Sequence, residues 1–210
     1  ESKLDNSKVR ILSTVTIDDP FDITFAGTNT TTIRPLLLGA ITHSIPVAVY
    51  YENSETTRVF AGANDGMLHS FDQNGNETFA YIPFPVMPAL TSIADYMEGI
   101  KFKSFVDGPV KLFHLDDNKD GIITVGEKAF IIFGYRRGAK YYTVIDVSIL
   151  DAPKFVQHIP VEGQSWAKPL IFNKGNAKYM VLAGGYDPCF DPDIPSGCST
   201  NGSGHLDPDG

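Results

Sequence analysis

Val59-Phe60-Ala61-Gly62, Ala63-Asn64-Asp65-Gly66 and Met67-Leu68-His69-Ser70-Phe71-Asp72 follow one another in this chain. Two apolar, aromatic-bearing runs flank a turn-forming step, so strands are expected over Arg58 to Ala61 and Met67 to Phe71. Asn-Asp-Gly supplies the positive φ angles that a tight hairpin needs. The phrase returns downstream. Ile131-Ile132-Phe133-Gly134 leads through Tyr135-Arg136-Arg137-Gly138 to Tyr142-Thr143-Val144-Ile145-Asp146. Met180-Val181-Leu182-Ala183-Gly184 begins it again. Apolar strand, glycine turn, second apolar strand and closing Asp form one hairpin unit, repeating every ~50–70 residues, near the ~40–50 of propeller blades carrying an insertion. The reading is all-β, made of partial β-propeller blades; an ordinary antiparallel sandwich is the alternative.

Outward from these units, Pro46 to Tyr51 and Val9 to Ile17 read as further strands. Pro88 to Tyr96 alone looks helical, with Leu90, Ile93 and Ala94 on one face. The organisation expected is a lead-in over residues 1–35, blades over 36–187 and a Cys/Asp/Gly-rich loop over 188–210. Only three or four blades fit, where closed propellers use about 4–8. The chain opens Glu1-Ser2-Lys3 without an initiator Met, and the expectation is an excised segment of something longer, cut inside a blade, with its open edges covered by other protein.

The 210 residues are 42% hydrophobic and 11% aromatic, enough for a packed core. A net charge of −8 argues against a main role on nucleic acid or anionic lipid, since both need a basic surface. No apolar run reaches the ~18 residues of a membrane span. Cys189 and Cys198 lie in one loop-like stretch and are expected to bridge, which implies an oxidising compartment. The phosphate-loop, nucleophile-elbow and zinc-helix motifs are absent, and His43, His69, His114, His158 and His205 have no metal spacing. An enzyme is therefore not expected. His69 reads as a packed core residue, Asp65 and Asp72 as turn caps, and Trp166 as a blade-packing residue. Asp187, Asp191, Asp193, Asp207 and Asp209 read as a solvated acidic loop, with a second cation site as the rarer alternative.

The sharpest local signal is Asp116-Asp117-Asn118-Lys119-Asp120-Gly121-Ile122-Ile123-Thr124-Val125-Gly126-Glu127. It has the 12-residue EF-hand loop pattern: oxygen ligands from Asp116, Asn118 and Asp120, Gly121 at the bend, the Ile122 carbonyl, Thr124 through water, and bidentate Glu127. Such alternation suits Ca²⁺ better than Mg²⁺, which prefers six close ligands and keeps several waters. Val110 to Leu115 before it and Lys128 to Phe133 after it read as strands, not helices, so a lone strand-to-strand site is expected.

Ile41-Thr42-His43-Ser44-Ile45-Pro46-Val47, Gly62 to Asp72, Glu77-Thr78-Phe79-Ala80-Tyr81-Ile82-Pro83 and Phe105-Val106-Asp107-Gly108-Pro109-Val110, in this order, resemble the C-terminal β-propeller of the type IV pilus assembly and tip-adhesin family (PilC/PilY). The resemblance covers about Leu38 to Tyr186, and the Gly-Ala-Asn-Asp-Gly-Met-Leu-His stretch is its most specific part. It implies a modified, quinoprotein-like propeller exported to the pilus tip or outer-membrane surface. It further implies support of pilus extension, adhesion and twitching, and pilins, minor pilins and the remainder of its own polypeptide as partners. Family members can carry a calcium loop within the propeller, so the resemblance extends that role to Asp116, Asn118, Asp120, Ile122, Thr124 and Glu127; the family's loop is often shorter, and Glu127 rests on the EF-hand spacing. The competing class is a periplasmic pyrroloquinoline-quinone dehydrogenase fragment, whose blades repeat a Trp; this chain has one, Trp166.

Overall fold

The computed structural model describes residues 9–11, 38–92, 104–175 and 177–187. Among the described residues eleven strands run in chain order: β1 Val9–Ile11, β2 Val47–Tyr51, β3 Thr56–Gly62, β4 Leu68–Asp72, β5 Glu77–Tyr81, β6 Val110–Leu115, β7 Lys128–Gly134, β8 Tyr141–Asp146, β9 Lys154–Pro160, β10 Leu170–Lys174 and β11 Ala177–Val181. All named pairings are antiparallel. Strands β2 to β5 form a four-stranded meander, extended at its β5 edge by β1, and β6 to β9 form a second meander. A β10–β11 hairpin stands third. The expected hairpins β3–β4 and β7–β8 are therefore equivalent parts of two like units, and the all-β reading holds.

Side-chain alternation explains how the units stack. Ile131 and Ile145, paired across β7 and β8, share a buried cluster with Phe60, Leu68, Phe79 and Tyr81 of the first meander. Their neighbours Ile132 and Val144 point the other way and meet Met180 and Leu182 from the chain of the third hairpin. The second meander is thus covered on both faces. That is why β7 reads as a continuous apolar run rather than an alternating one. Full burial of each large side chain contributes about 1.5–3 kcal/mol.

Each unit abuts the next at an equivalent glycine. A Cβ on Gly62 would lie 2.3 Å from the Val106 carbonyl oxygen, and one on Gly134 would lie 2.6 Å from that of Ser165. The segments entering β6 and β10 can approach this closely only because no side chain intervenes.

Three local expectations change. Of the Asn64-Asp65-Gly66 step, only Gly66 takes positive φ, 88°, because Asp65 secures the turn by accepting the Met67 N–H at 3.1 Å. The helical segment starts earlier and is a 3-10 helix, Phe84–Ser92, with Pro88 inside. Proline removes an N–H donor and clashes with an α-helical turn, which favours the tighter form. Residues 93–96 of the expected helix lie outside the described residues, as does 12–17 of the first strand. The run from Met180 to Gly184, expected to begin another hairpin unit, gives only Met180 and Val181 to β11, which pairs backwards with β10 instead of opening a forward hairpin.

Candidate functional site

The loop from Asp116 to Glu127 joins β6 to β7 as a strand-to-strand connection. Its bend uses left-handed backbone at Lys119, φ 63°, and Gly121, φ 78°. Lys119 has a Cβ and adopts this region at a cost, offset by hydrogen bonding around it. Asp116 accepts N–H bonds from Asp120 at 3.2 Å and Gly121 at 2.9 Å. Asn118 Oδ1 accepts from the Asp120 N–H at 3.1 Å, and Asp120 Oδ1 from the Ile122 N–H at 2.7 Å. The three side chains at alternate positions are thus turned inward on one exposed bend. Asn118 Nδ2 also donates to Asp120 Oδ2 at 2.8 Å.

Glu127 lies deeper and its oxygens meet three donors. Oε1 accepts the Asp117 N–H at 2.9 Å, while Oε2 accepts the Thr124 N–H at 2.9 Å and faces His114 Nε2 at 3.2 Å. The Thr124 N–H, against the cost of burial and with help from the Asp117 N–H, the Thr124 hydroxyl and His114, lowers the Glu127 carboxyl to about 2. Glu127 therefore closes the loop as an ionised clamp. His114, on β6, is the partner of the loop that sequence reasoning missed. Strand alternation in β6 could have placed it on the Glu127 side, but the pairing register was needed to bring them together.

The second half of the loop docks on the first meander. Ile123 is buried; its N–H donates to Tyr50 O at 2.9 Å and its carbonyl accepts from Glu52 N–H at 3.1 Å. Beside this junction Tyr51 donates its hydroxyl to Val147 O at 2.8 Å. A groove of about 500 Å³ opens there, lined by Tyr51, Thr124, Glu127 and Ile149 among others. The loop is consequently a joint between two sheets.

Asp116, Asn118 and Asp120 fit a hard cation by chemistry, since each side-chain oxygen keeps a second lone pair beyond its N–H bond. Among the described residues, no three His, Cys, Asp or Glu side chains are drawn together as a metal-holding group. Closure on a cation would require the Asn118–Asp120 side-chain bond to open. Ile122 sits on the bend with its carbonyl available from the backbone, and Thr124 is tied to Glu127.

The other singled-out residues fall as follows. His69 is fully buried between Glu77 at 2.5 Å and Asp65 at 3.0 Å, and is a core residue as expected. Asp72 caps its turn through the Asn74 and Asn76 N–H groups. Asp187 pairs with Lys140 at 2.5 Å. Asp191, Asp193, Asp207, Asp209, Cys189 and Cys198 lie outside the described residues. Trp166 does more than pack a blade: two guanidinium groups gather on its ring, Arg136 at 4.3 Å and Arg137 at 5.7 Å.

No family model matches the chain. Over 140 residues it is 34% identical to the type IV pilus biogenesis factor PilY1 of Pseudomonas aeruginosa, covering 63% of this chain and 12% of that protein. It is 33% identical over 132 residues to a PilY1 homolog of Xylella fastidiosa, covering 60% of this chain and 10% of that one. Among solved structures it is similar to the PilY1 C-terminal domain of Pseudomonas aeruginosa, with 29% identity, a TM-score of 0.45, and coverage of 64% of this chain and 26% of that one. The chain spans about 12% of the length of the Pseudomonas relative. No described helix is long and apolar enough to cross a membrane. Over these stretches, and in the order of its phrases, the chain is thus related in sequence to proteins named as PilY1 type IV pilus biogenesis factors.

Proposed function

We propose that the chain is a calcium-responsive β-propeller segment of a type IV pilus biogenesis protein, displayed at the pilus tip or outer surface, where it supports pilus extension, adhesion and twitching. The observation that carries this reading is the 34% identity over 140 residues to a protein named for pilus biogenesis. The propeller reading is supported by two like meanders stacked face to face, with a third hairpin on the far face. Pilins, minor pilins and the rest of its own polypeptide are the proposed partners.

Asp116, Asn118, Asp120 and the Ile122 carbonyl would hold Ca²⁺, with Thr124 reaching it through water. The ion would supply charge neutralisation for a loop carrying four carboxylates, Asp116, Asp117, Asp120 and Glu127. Glu127 contributes by fixing the loop's closing turn through Asp117 and Thr124; as a ligand it would first have to release His114. Ile123 carries the consequence to the neighbouring sheet, because its backbone bonds span the joint.

Calorimetric titration of the wild type is expected to give one calcium site, and Asp120→Ala should abolish it. Absence of bound heat in the wild type would reduce the loop to an acidic turn. In the organism that makes the protein, Asp120→Ala should impair twitching and pilus extension. Normal calcium-dependent extension in that strain would separate the loop from the function.

A further inference from the structure

We propose that a cavity at the β7–β8 tip, the opposite end of the second meander from the calcium loop, binds a uronate: a sugar ring bearing a carboxylate. The cavity has a volume of about 190 Å³ and is lined by His43, Ser104, Asp107, Arg136, Arg137 and Trp166. In a chain of net charge −8 it gathers two permanent cations. Among the described residues neither guanidinium has a carboxylate partner. Stacking on an indole ring holds a guanidinium without consuming its N–H donors, so the fork stays available for a carboxylate.

The walls are fixed in advance. Arg136 has left-handed backbone, φ 53°, a strained state for a residue with a Cβ. The turn is pinned by Arg136 N–H to Ser165 O at 3.2 Å, Tyr135 N–H to Ser165 Oγ at 2.7 Å and Gly138 N–H to Tyr135 O at 2.9 Å. The Trp166 ring is oriented by its Nε1–H donating to Gln164 at 2.7 Å. Strain retained by surrounding structure is a mark of ligand sites, and rigid donors lower the entropy cost of binding.

The remaining lining chooses the ligand class. Asp107 is buried; it accepts the His43 N–H at 3.1 Å and faces His43 Nδ1 at 2.7 Å. Its spare lone pairs accept from hydroxyls, which a sugar offers. A second carboxylate, as in an acidic peptide, would meet Asp107 with like charge. The volume lies below the ~300–1,000 Å³ of drug-sized sites and suits one ring.

The test is titration of the full-length protein and of this chain with D-glucuronate, D-glucose and acetyl-Asp-Asp-amide, followed by ligand-observed NMR. Glucuronate should bind at least about tenfold more tightly than either control, the scale of a charge-assisted hydrogen bond. Arg137→Ala should lose about tenfold or more with unchanged melting temperature, and Arg137→Lys, which keeps the charge, should retain part of the affinity. Four results would overturn the proposal: no glucuronate binding, equal affinity for glucose, preference for the acidic dipeptide, or binding by this chain but not by the full-length protein. The last would mean that the rest of the polypeptide fills the cavity. None of these readouts depends on calcium or on pili.

Discussion

His69 illustrates how a buried ionisable residue is held. Burial by itself lowers its pKa, but the hydrogen bonds and charges of Asp65 and Glu77 outweigh it and hold the imidazole above its ordinary 6.5. A raised folded-state value means that His69 contributes its full stabilisation below about pH 6.5 and loses it as pH rises through the folded-state value. Chemical denaturation from pH 5 to 9 should therefore show a midpoint that declines over the upper range. His69→Leu should flatten that decline and cost about 3–5 kcal/mol, because two carboxylates stay behind in a largely buried place. An unchanged pH profile in the variant would assign the decline to another group. Asp65 has a second duty here: it also accepts the Gly39 N–H at 3.0 Å, which ties the entry segment to the β3–β4 tip.

At the scale of elements, the joints matter more than the strands. Gly134 ends β7 against the Ser165 carbonyl, and its missing Cβ is the space that the segment entering β10 occupies. Gly134→Ala forces backbone against backbone, so a loss of about 1–3 kcal/mol is expected. Hydrogen exchange should then rise at Tyr135 and Arg136, whose N–H groups bond to Ser165. Uniform loss of protection across β7 and β8 would instead indicate damage to the sheet. The Asp116–Glu127 loop is a joint of the second kind, docked on the first meander through Ile123. The β10–β11 hairpin is a third. Its Leu170 and Val181 are exposed and its two strands alone would be marginal.

For the whole molecule, calcium should stabilise without changing the sheets. A ligand that binds only the folded state adds about 2.7 kcal/mol at ~100 times its dissociation constant. The melting temperature should rise accordingly while the far-ultraviolet spectrum stays the same. A spectral change of strand content on adding calcium would contradict a loop-level role. Reconstitution with pyrroloquinoline quinone and a dye acceptor should give no turnover of alcohols or sugars, since the repeated Trp of the quinone enzymes is missing. Quinone-dependent turnover would move the chain into the enzyme class.

The positions of β2, β3, β4, β6, β7 and β8, the equivalence of the two hairpins and the spacing of Asp116, Asn118, Asp120 and Glu127 were legible from residues alone, whereas β9 and β10 were not read as strands. These are local properties: alternation, turn chemistry and ligand spacing act over a few neighbours. The 3-10 character of Phe84–Ser92 was not legible, because a single apolar face does not distinguish helix types once Pro85 and Pro88 intervene. His114 against Glu127, Ile123 against Tyr50 and Glu52, and Arg136 and Arg137 over Trp166 come from register and from the stacking of separate sheets. Those partners are distant in sequence or depend on which face a strand presents, and no periodicity encodes which residues meet when one sheet packs on another. Spacing alone thus determined a candidate ligand set, while the tertiary contacts decided that Glu127 is clamped by three N–H donors and that two arginines share one ring.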